Sequence, residues 1–198
     1  MADRPVKLAV LLSGGGRTLD NLAERIASGS LHAEMVLVVA SRDGVAGIDK
    51  AAKLRVPNYV VPRKAYDSPQ AFSDAVFKLV RDSGADLVCL AGFLSLLVIP
   101  DDFAGRVLNV HPALLPSFGG QGMYGQKVHA AVLDHGCKVS GCTVHLADNT
   151  YDTGPILVQK CCEVRDDDTA ETLAARVFEL ECEAYPQAIA DWARRRLG

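Results

Sequence analysis

Hydrophobic and polar positions follow two alternating patterns along the first half of the chain. Short continuous apolar runs, typical of strands buried on both faces, lie at residues 7–12, 34–40, 58–61, 86–90 and 107–110. Apolar residues with helical spacing lie between them, at 18–27, 46–54 and 69–81. This alternation predicts an α/β fold with a mostly parallel, twisted sheet, right-handed crossovers and helices on both faces.

The second half of the chain is less regular. Residues 112–125 contain two prolines and several glycines, which predicts a long irregular loop. A helix is expected at 126–133. Two strands rich in Val and Ile follow at 139–147 and 156–164, separated by a segment of turn-forming residues.

A final helix is expected from about Thr169. Asp168 and Glu171 have the spacing of a capping box at its start. Pro186 is expected to bend or break the helix, because proline lacks the amide hydrogen that a helix interior needs.

Length and composition restrict the class of protein. A chain of 198 residues with 49% hydrophobic and 23% charged residues fits a single globular domain, here spanning residues 1–198. The formal charge of −3 offers no basic surface for nucleic acid or for an anionic membrane. We therefore expect small-molecule partners, with any anionic ligand held by a local site.

Several absences in the sequence add expectations about location and metals. The longest apolar runs fall well short of the ~20 residues of a membrane-spanning helix, and no signal-like leader opens the chain, so a cytoplasmic protein is expected. The six cysteines form no C-x-x-C pair, which favours reduced thiols. The cysteines and histidines also lack the spacing of zinc ligands, so no metal is expected.

A glycine-rich turn links the first predicted strand to the first helix. Ser13-Gly14-Gly15-Gly16-Arg17-Thr18 places backbone N–H groups beside a helix N-terminus, a combination that favours a phosphate or carboxylate. A tight turn without a ligand is the alternative. A dinucleotide fingerprint is a weaker alternative, because Leu19 stands where a third glycine is required.

Two polar residues at the end of a predicted strand could carry chemistry. Asn109 and His111 are two positions apart, so in a strand both side chains point to the same side. Together they supply an amide donor for an oxyanion and a titratable proton carrier. Asp152, in the later turn-rich segment, could orient and charge that imidazole. Alternatively, His111 is an ordinary strand-end residue and Asp152 forms an Asx turn before Gly154.

Five segments in order resemble the phosphoribosylglycinamide formyltransferase family of folate-dependent enzymes. They are Ser13–Gly16, Leu90–Phe93, Asn109–Ser117, Gly141–His145 and Asp152–Leu157. The resemblance implies a Rossmann-like formyltransferase fold and formyl transfer from 10-formyltetrahydrofolate to the amino group of glycinamide ribonucleotide in purine biosynthesis. It also implies that no metal and no covalent enzyme intermediate take part.

The resemblance also implies site residues. Asn109, His111 and Asp152 correspond to the family's catalytic residues, the ribonucleotide is bound by Gly14, Gly15, Gly16, Arg17, Thr18 and Glu181, and the folate contacts Phe93, Leu94, Ser95, Leu96, Leu97, Asn109, Asp148 and Asp152. The phosphate-binding half is then about residues 1–100, and the folate and catalytic half about 101–198.

Three features differ from the family pattern. Arg17-Thr18 replaces an expected Ser-Asn, Pro69 lies near an expected basic residue, and the loop 118–127 is richer in glycine and longer. Two other functions stay open: another 10-formyltetrahydrofolate enzyme, such as a deformylase or a transferase to a different amine, and a non-catalytic folate-binding or nucleotide-binding module. A monomer or a homodimer is expected.

Overall fold

Seven strands form one sheet in a computed structural model that describes residues 4–198. The strands are β1 (Val6–Leu12), β2 (Ala33–Ala40), β3 (Asn58–Val60), β4 (Leu87–Leu90), β5 (Val107–His111), β6 (Val139–Leu146) and β7 (Ile156–Glu163). Their order in the sheet is β3-β2-β1-β4-β5-β6-β7. β1 pairs in parallel with β2 and β4, β2 pairs in parallel with β3, and β6 and β7 are antiparallel. The predicted α/β fold with a mostly parallel sheet is confirmed.

Five α-helices accompany the strands. They are α1 (Arg17–Ala27), α2 (Ala46–Lys53), α3 (Pro69–Ser83), α4 (Gln126–Asp134) and α5 (Ala170–Leu197). Each lies where apolar residues with helical spacing predict it. The start of α3 follows from its sequence, because Ser68 Oγ accepts from Ala71 N at 3.1 Å and Pro69 opens the helix.

β1 is buried along nearly its whole length. Leu8 through Leu12 are 0% exposed, and successive strand residues point to opposite faces of the sheet. Both faces of the sheet are therefore covered at β1, as its continuous apolar run predicts. A fully buried Leu or Val side chain contributes about 1.5–3 kcal/mol relative to an exposed one, so this strand is a main source of stability.

The chain divides into two compact units. The first comprises the residues up to Leu108 together with Ala190–Gly198, and it contains β1–β4 and α1–α3. The second comprises Asn109–Ile189 and contains α4, β6, β7 and most of α5. The boundary falls within β5, between Leu108 and Asn109.

The hydrogen bonds at the start of α5 differ from the predicted capping box. Asp168 and Glu171 do not form the expected capping box; Thr169 and Thr172 form the reciprocal pair, with Thr172 Oγ1 2.9 Å from Thr169 N and Thr169 Oγ1 3.3 Å from Thr172 N. The carboxylate of Asp168 instead accepts two hydrogen bonds from Arg176, at 2.7 and 2.8 Å. A charged bidentate partner outweighs a neutral cap, so Asp168 ties the helix to the preceding turn.

Pro186 does not break α5. The helix continues through it from Ala170 to Leu197. Pro186 and its neighbours Ala184 and Tyr185 are buried, so packing compensates for the lost backbone hydrogen bond.

All six cysteines lie within residues 4–198, and none of them forms a disulfide there. Among residues 4–198, no helix is long and apolar enough to cross a membrane.

Candidate active site

Asn109 and His111 end β5 and lie close to Asp152. Asn109 Nδ2 is 3.3 Å from Asp152 Oδ1, and His111 Nδ1 is 3.4 Å from Asp152 Oδ2. All three residues belong to the second unit. The structure thus brings together the amide, the imidazole and the carboxylate that the sequence singles out.

His111 is almost completely enclosed, with 3% of its surface exposed. Its Nε2 lies 2.8 Å from the carbonyl oxygen of Phe118. A carbonyl can only accept a hydrogen bond, so Nε2 carries a proton and donates. Burial lowers the pKa of His111 below its ordinary value, while the Asp152 charge and the Phe118 carbonyl act in the opposite direction.

Asp152 lies in the loop between β6 and β7 with a left-handed backbone, at φ 59°. Its Oδ2 accepts a hydrogen bond from Gly120 N at 2.9 Å. Burial acts to raise the pKa of Asp152, but His145, His111 and the Gly120 N–H outweigh burial and lower it. Asp152 is therefore held as a carboxylate beside the imidazole.

The Asx turn that was the alternative for Asp152 is formed by Asp148. Asp148 Oδ1 accepts from Thr150 N at 2.9 Å, and both carboxylate oxygens lie within 3.0 Å of Thr153 Oγ1. Gly154 is required at the other end of the loop, since a Cβ there would lie 1.9 Å from the Leu146 carbonyl oxygen. Asp148 and Gly154 thus shape the loop that presents Asp152.

His145 joins the cluster, although the sequence analysis did not place it among the site residues. It is 1% exposed, and its Nε2 lies 3.0 Å from Asn109 Nδ2 and 3.5 Å from Asp152 Oδ1. Its Nδ1 lies 3.0 Å from the Leu146 carbonyl oxygen. Nδ1 therefore donates to that carbonyl, and Nε2 faces both the Asn109 amide and the Asp152 carboxylate.

Thr143 is a second buried polar residue of β6, two positions before His145. Its Oγ1 donates to the Ala113 carbonyl at 2.7 Å and accepts from Leu115 N at 3.0 Å. These bonds fix the first residues of the loop after β5. The available sequence signal was the spacing of Thr143 and His145, two polar residues on the same side of a predicted strand.

The glycine-rich turn follows β1 in the first unit. Gly16, with φ 72°, is the N-cap residue of α1. No side chain accepts a hydrogen bond from the first N–H groups of this helix at the cap. Gly47 of α2 packs against this turn: its N lies 3.2 Å from the Gly14 carbonyl oxygen, and a Cβ on Gly47 would lie 2.7 Å from Leu12.

Gly14 and Gly15 differ from Gly16. A Cβ on either would have no neighbour within 4 Å, and neither has a positive φ. The fold itself therefore does not require glycine at these two positions. The space beside the turn suits a ligand that approaches the backbone closely.

The ends of β1, β2 and β4 are joined by hydrogen bonds beside this turn. Ser13 Oγ lies 2.6 Å from Ser41 Oγ and accepts from Leu94 N at 2.9 Å. Phe93 stacks on Phe72, with ring centroids 6.1 Å apart. In open α/β sheets, ligands bind at the carboxyl ends of strands where the strand order reverses, which is here between β1 and β4.

The predicted folate-binding residues 93–97 differ in their exposure to solvent. Phe93, Leu94, Ser95 and Leu96 are half-buried, and Leu97 is 4% exposed. Leu97 therefore packs in the core, whereas the four preceding residues expose part of their surface to solvent.

Glu181 lies half-buried on α5 in the second unit. Burial, followed by the charge of Glu181, raises the pKa of Cys142 on β6 to about 12. Glu181 therefore faces β6, and it is not on a fully solvated helix face. Cys142 stays a neutral thiol at physiological pH and is a poor nucleophile.

The site residues thus fall into two groups. The second unit holds the predicted catalytic residues together with Asp148 and Glu181, whereas the first unit holds the turn Gly14–Thr18 and the segment Phe93–Leu97. The buried cluster combines an amide donor, a hydrogen-bonded imidazole and a carboxylate, which suits acyl transfer with proton transfer. Within residues 4–198, no group of three or more His, Cys, Asp or Glu residues is arranged to hold a metal ion.

Comparisons with known proteins agree with this geometry. Residues 6–189 match the sequence profile of the formyl transferase family. The chain is 38% identical over 197 residues to the chloroplastic phosphoribosylglycinamide formyltransferase of Arabidopsis thaliana, covering 98% of this chain and 68% of that protein. It is also 40% identical over 186 residues to the trifunctional purine biosynthetic protein adenosine-3 of Gallus gallus, covering 93% of this chain but only 18% of that much longer protein.

A solved structure shows the same fold. The crystal structure of glycinamide ribonucleotide transformylase 1 from Symbiobacterium toebii aligns with a TM-score of 0.90 and 34% sequence identity, covering 97% of this chain and 89% of that one. The family profile matches most of the chain, and the relatives agree with it in sequence and in fold. This chain therefore belongs to the formyl transferase family.

Proposed function

We propose that this chain transfers the formyl group of 10-formyltetrahydrofolate to the amino group of 5'-phosphoribosylglycinamide, giving formylglycinamide ribonucleotide and tetrahydrofolate. The observation that carries the proposal is the buried cluster in which Asp152 contacts both Asn109, at 3.3 Å, and His111, at 3.4 Å. A binding module would have no use for a buried carboxylate that orients an imidazole. The names of the relatives specify formyl transfer and the acceptor, phosphoribosylglycinamide. The donor is the one that the resemblance to the folate-dependent family implies.

The acceptor's phosphate would bind at the turn Gly14–Thr18. The open space beside Gly14 and Gly15, and the uncapped start of α1, favour an anion there. Arg17 is exposed at the first position of the helix and would add charge-assisted hydrogen bonds. Glu181 is the further substrate-contacting residue that the resemblance implies.

The resemblance assigns folate contacts to Phe93–Leu97 in the first unit and, separately, to the loop containing Asp148 and Asp152 in the second. Phe93, Leu94 and Leu96 offer partly exposed apolar surface, which suits an aromatic ring system. The formyl group would then lie at Asn109 and His111.

The acceptor amine would attack the formyl carbon directly and form a tetrahedral intermediate. The Asn109 amide would donate a hydrogen bond to the developing oxyanion. This bond would replace the longer of its two contacts, the one to Asp152 Oδ1 at 3.3 Å. The shorter bond to His145, at 3.0 Å, would keep the amide oriented. Protonated His111 would stabilise the same negative charge.

Proton transfer completes the reaction. The attacking nitrogen loses one proton, and the departing N10 of tetrahydrofolate gains one, so the C–N10 bond breaks without net loss of protons. His111 and Asp152 would relay this proton, since their nearest atoms are 3.4 Å apart. The chemistry needs neither a metal nor a covalent enzyme intermediate.

Formyl hydrolysis and transfer to another amine are the competing activities of the same cluster. A phosphate site at the first turn favours a phosphorylated acceptor over water. The formal charge of −3 also disfavours transfer RNA as the acceptor, because affinity for nucleic acid depends on contacts between basic residues and phosphates. A cytoplasmic location and a monomeric or homodimeric state stay predictions from the sequence.

The direct test is the absorbance change when purified protein is mixed with 10-formyltetrahydrofolate, with and without glycinamide ribonucleotide. The proposal predicts rapid production of tetrahydrofolate only when the ribonucleotide is present. Equal production without the ribonucleotide would identify a hydrolase, and no production in either mixture would indicate a non-catalytic module.

A further inference from the structure

Three consecutive residues of the loop after β5, Phe118–Gly120, contact both members of the His111–Asp152 pair through their backbone. The Phe118 carbonyl oxygen lies 2.8 Å from His111 Nε2, and Gly120 N lies 2.9 Å from Asp152 Oδ2. The same carboxylate oxygen is the one that faces His111 Nδ1. We call this segment the Phe118–Gly120 strap.

The backbone of the strap has an unusual conformation. Phe118 has φ 54°, which a bulky side chain rarely adopts, and Gly120 has φ 97°, a region in which only glycine is unstrained. The Phe118 ring packs edge-on against His135, with centroids 5.2 Å apart. A strained backbone held by packing points to a function for its position.

Gly119 has little room for a side chain. A Cβ on Gly119 would lie 2.6 Å from Leu115 Cδ2 and 3.3 Å from Asp152 Cβ. The strap therefore lies directly against the Asp152 side chain. A larger residue at this position would push the carboxylate away from the imidazole.

We propose that the Phe118–Gly120 strap positions the His111–Asp152 pair for catalysis. The Phe118 carbonyl keeps the proton on His111 Nε2, and the Gly120 N–H holds Asp152 Oδ2 against His111 Nδ1. With an acceptor at each ring nitrogen, both contacts favour the protonated ring that the proposed reaction uses, whereas burial and the neighbouring His145 oppose it. This inference rests on the proposed function for its catalytic part only.

Two glycines of the same loop provide a matched pair of variants. Gly120 and Gly122 have φ values of 97° and 88°, and a Cβ on either would have no neighbour within 4 Å. Gly120→Ala and Gly122→Ala therefore introduce the same kind of backbone strain two positions apart. Only Gly120 donates to Asp152.

The first measurement needs no substrate. NMR of the ligand-free protein reports the ring N–H of His111, assigned by its loss in His111→Gln. A slowly exchanging Nε2–H is expected in the wild type and in Gly122→Ala, with exchange at least about ten times faster in Gly120→Ala, because the hydrogen bond to the Phe118 carbonyl is lost. Equal exchange in the two alanine variants would overturn the proposal.

The second measurement is steady-state kinetics with both substrates. Gly120→Ala should lower kcat by about 10- to 100-fold while both KM values change little, since misplacing a reacting group affects the chemical step. Gly122→Ala should stay within about twofold of the wild type. Faster ring exchange without an effect on kcat would disprove the catalytic part of the proposal.

Gly119→Ala is the second variant if Gly120→Ala unfolds. Its φ is not positive, so its effect comes from the contacts of the added Cβ, at 2.6 Å from Leu115 Cδ2 and 3.3 Å from Asp152 Cβ. It should reproduce the loss of kcat at an unchanged thermal midpoint. If the ring exchange responds as expected while even the wild type lacks formyl transfer, the proposed function fails and the positioning of the pair stands.

Discussion

Asp152 Oδ1 lies 3.3 Å from Asn109 Nδ2, although the two residues are 43 positions apart in the chain. Asn109 lies on β5, and Asp152 follows β6 in a loop with a left-handed backbone. The contact brings a donor for an oxyanion and the carboxylate partner of His111 to the same place.

Replacing His111 should abolish most activity without unfolding the protein. His111→Ala should lower kcat by about 10² to 10⁴, because a positioned proton carrier is lost. Steady-state kinetics with saturating substrates measures the change, and His32→Ala, at an exposed position, is the control. Near-normal turnover in His111→Ala would remove His111 from the mechanism.

Asn109→Ala should also lower kcat by about 10² to 10³, the usual cost of removing one oxyanion donor. Folate and ribonucleotide affinities should change much less, since the amide acts mainly in the transition state. Comparing kcat with the two dissociation constants separates these effects. A variant with weaker binding but full kcat would assign Asn109 to binding alone.

Asp152→Asn should lower activity and move its pH dependence. The carboxylate acts to raise the pKa of His111, so its loss should lower that pKa further. If the protonated ring is the active form, the alkaline limb of the kcat profile moves to lower pH. A profile with the same position and height as the wild type would exclude Asp152.

His111 should also make stability depend on pH. Burial lowers its pKa in the folded state, so the unfolded chain binds more protons between the folded pKa and the unfolded value of about 6.5. The free energy of unfolding should therefore fall as pH drops below about 6.5, by at most about 1.4 kcal/mol per pH unit from this residue. Denaturant titrations of His111→Gln at several pH values should show a smaller fall than those of the wild type.

Substitution of Gly15 should weaken the ribonucleotide alone. A Cβ at Gly15 has open space, so Gly15→Val should fold normally while its side chain obstructs the phosphate. We expect a higher KM for the ribonucleotide, an unchanged KM for the folate and an unchanged thermal midpoint. Inorganic phosphate should compete with the ribonucleotide only, and unchanged ribonucleotide binding in the variant would place the phosphate elsewhere.

The fold was largely predictable because its signals are local. The run of apolar residues in β1 and the capped start of α3 specify their elements without distant contacts. The start of α5 was predicted to within one residue, but its capping box was predicted wrongly, because the sequence does not show that Asp168 pairs with Arg176 eight residues later. At Pro186, tertiary packing keeps a helix that the residue alone would interrupt.

The site was predictable only in part. The shared face of Asn109 and His111 follows from the strand period. The contact of His145 with Asn109 depends instead on how β6 lies beside β5, and the contact of Gly120 with Asp152 on how two distant loops fold together. Backbone donors and acceptors carry no sequence signal of their own, so the Phe118–Gly120 strap could not be identified before the structure.

The central claim is formyl transfer to a small phosphorylated acceptor, and one side-by-side assay tests it most directly. Initial rates with 10-formyltetrahydrofolate are compared for glycinamide ribonucleotide, its dephosphorylated riboside and no acceptor. We expect efficient transfer to the ribonucleotide, a kcat/KM for the riboside lower by at least about 10³, and little hydrolysis without acceptor, because phosphate binding energy positions the reacting amine. Equal use of the riboside, or hydrolysis as fast as transfer, would contradict the account.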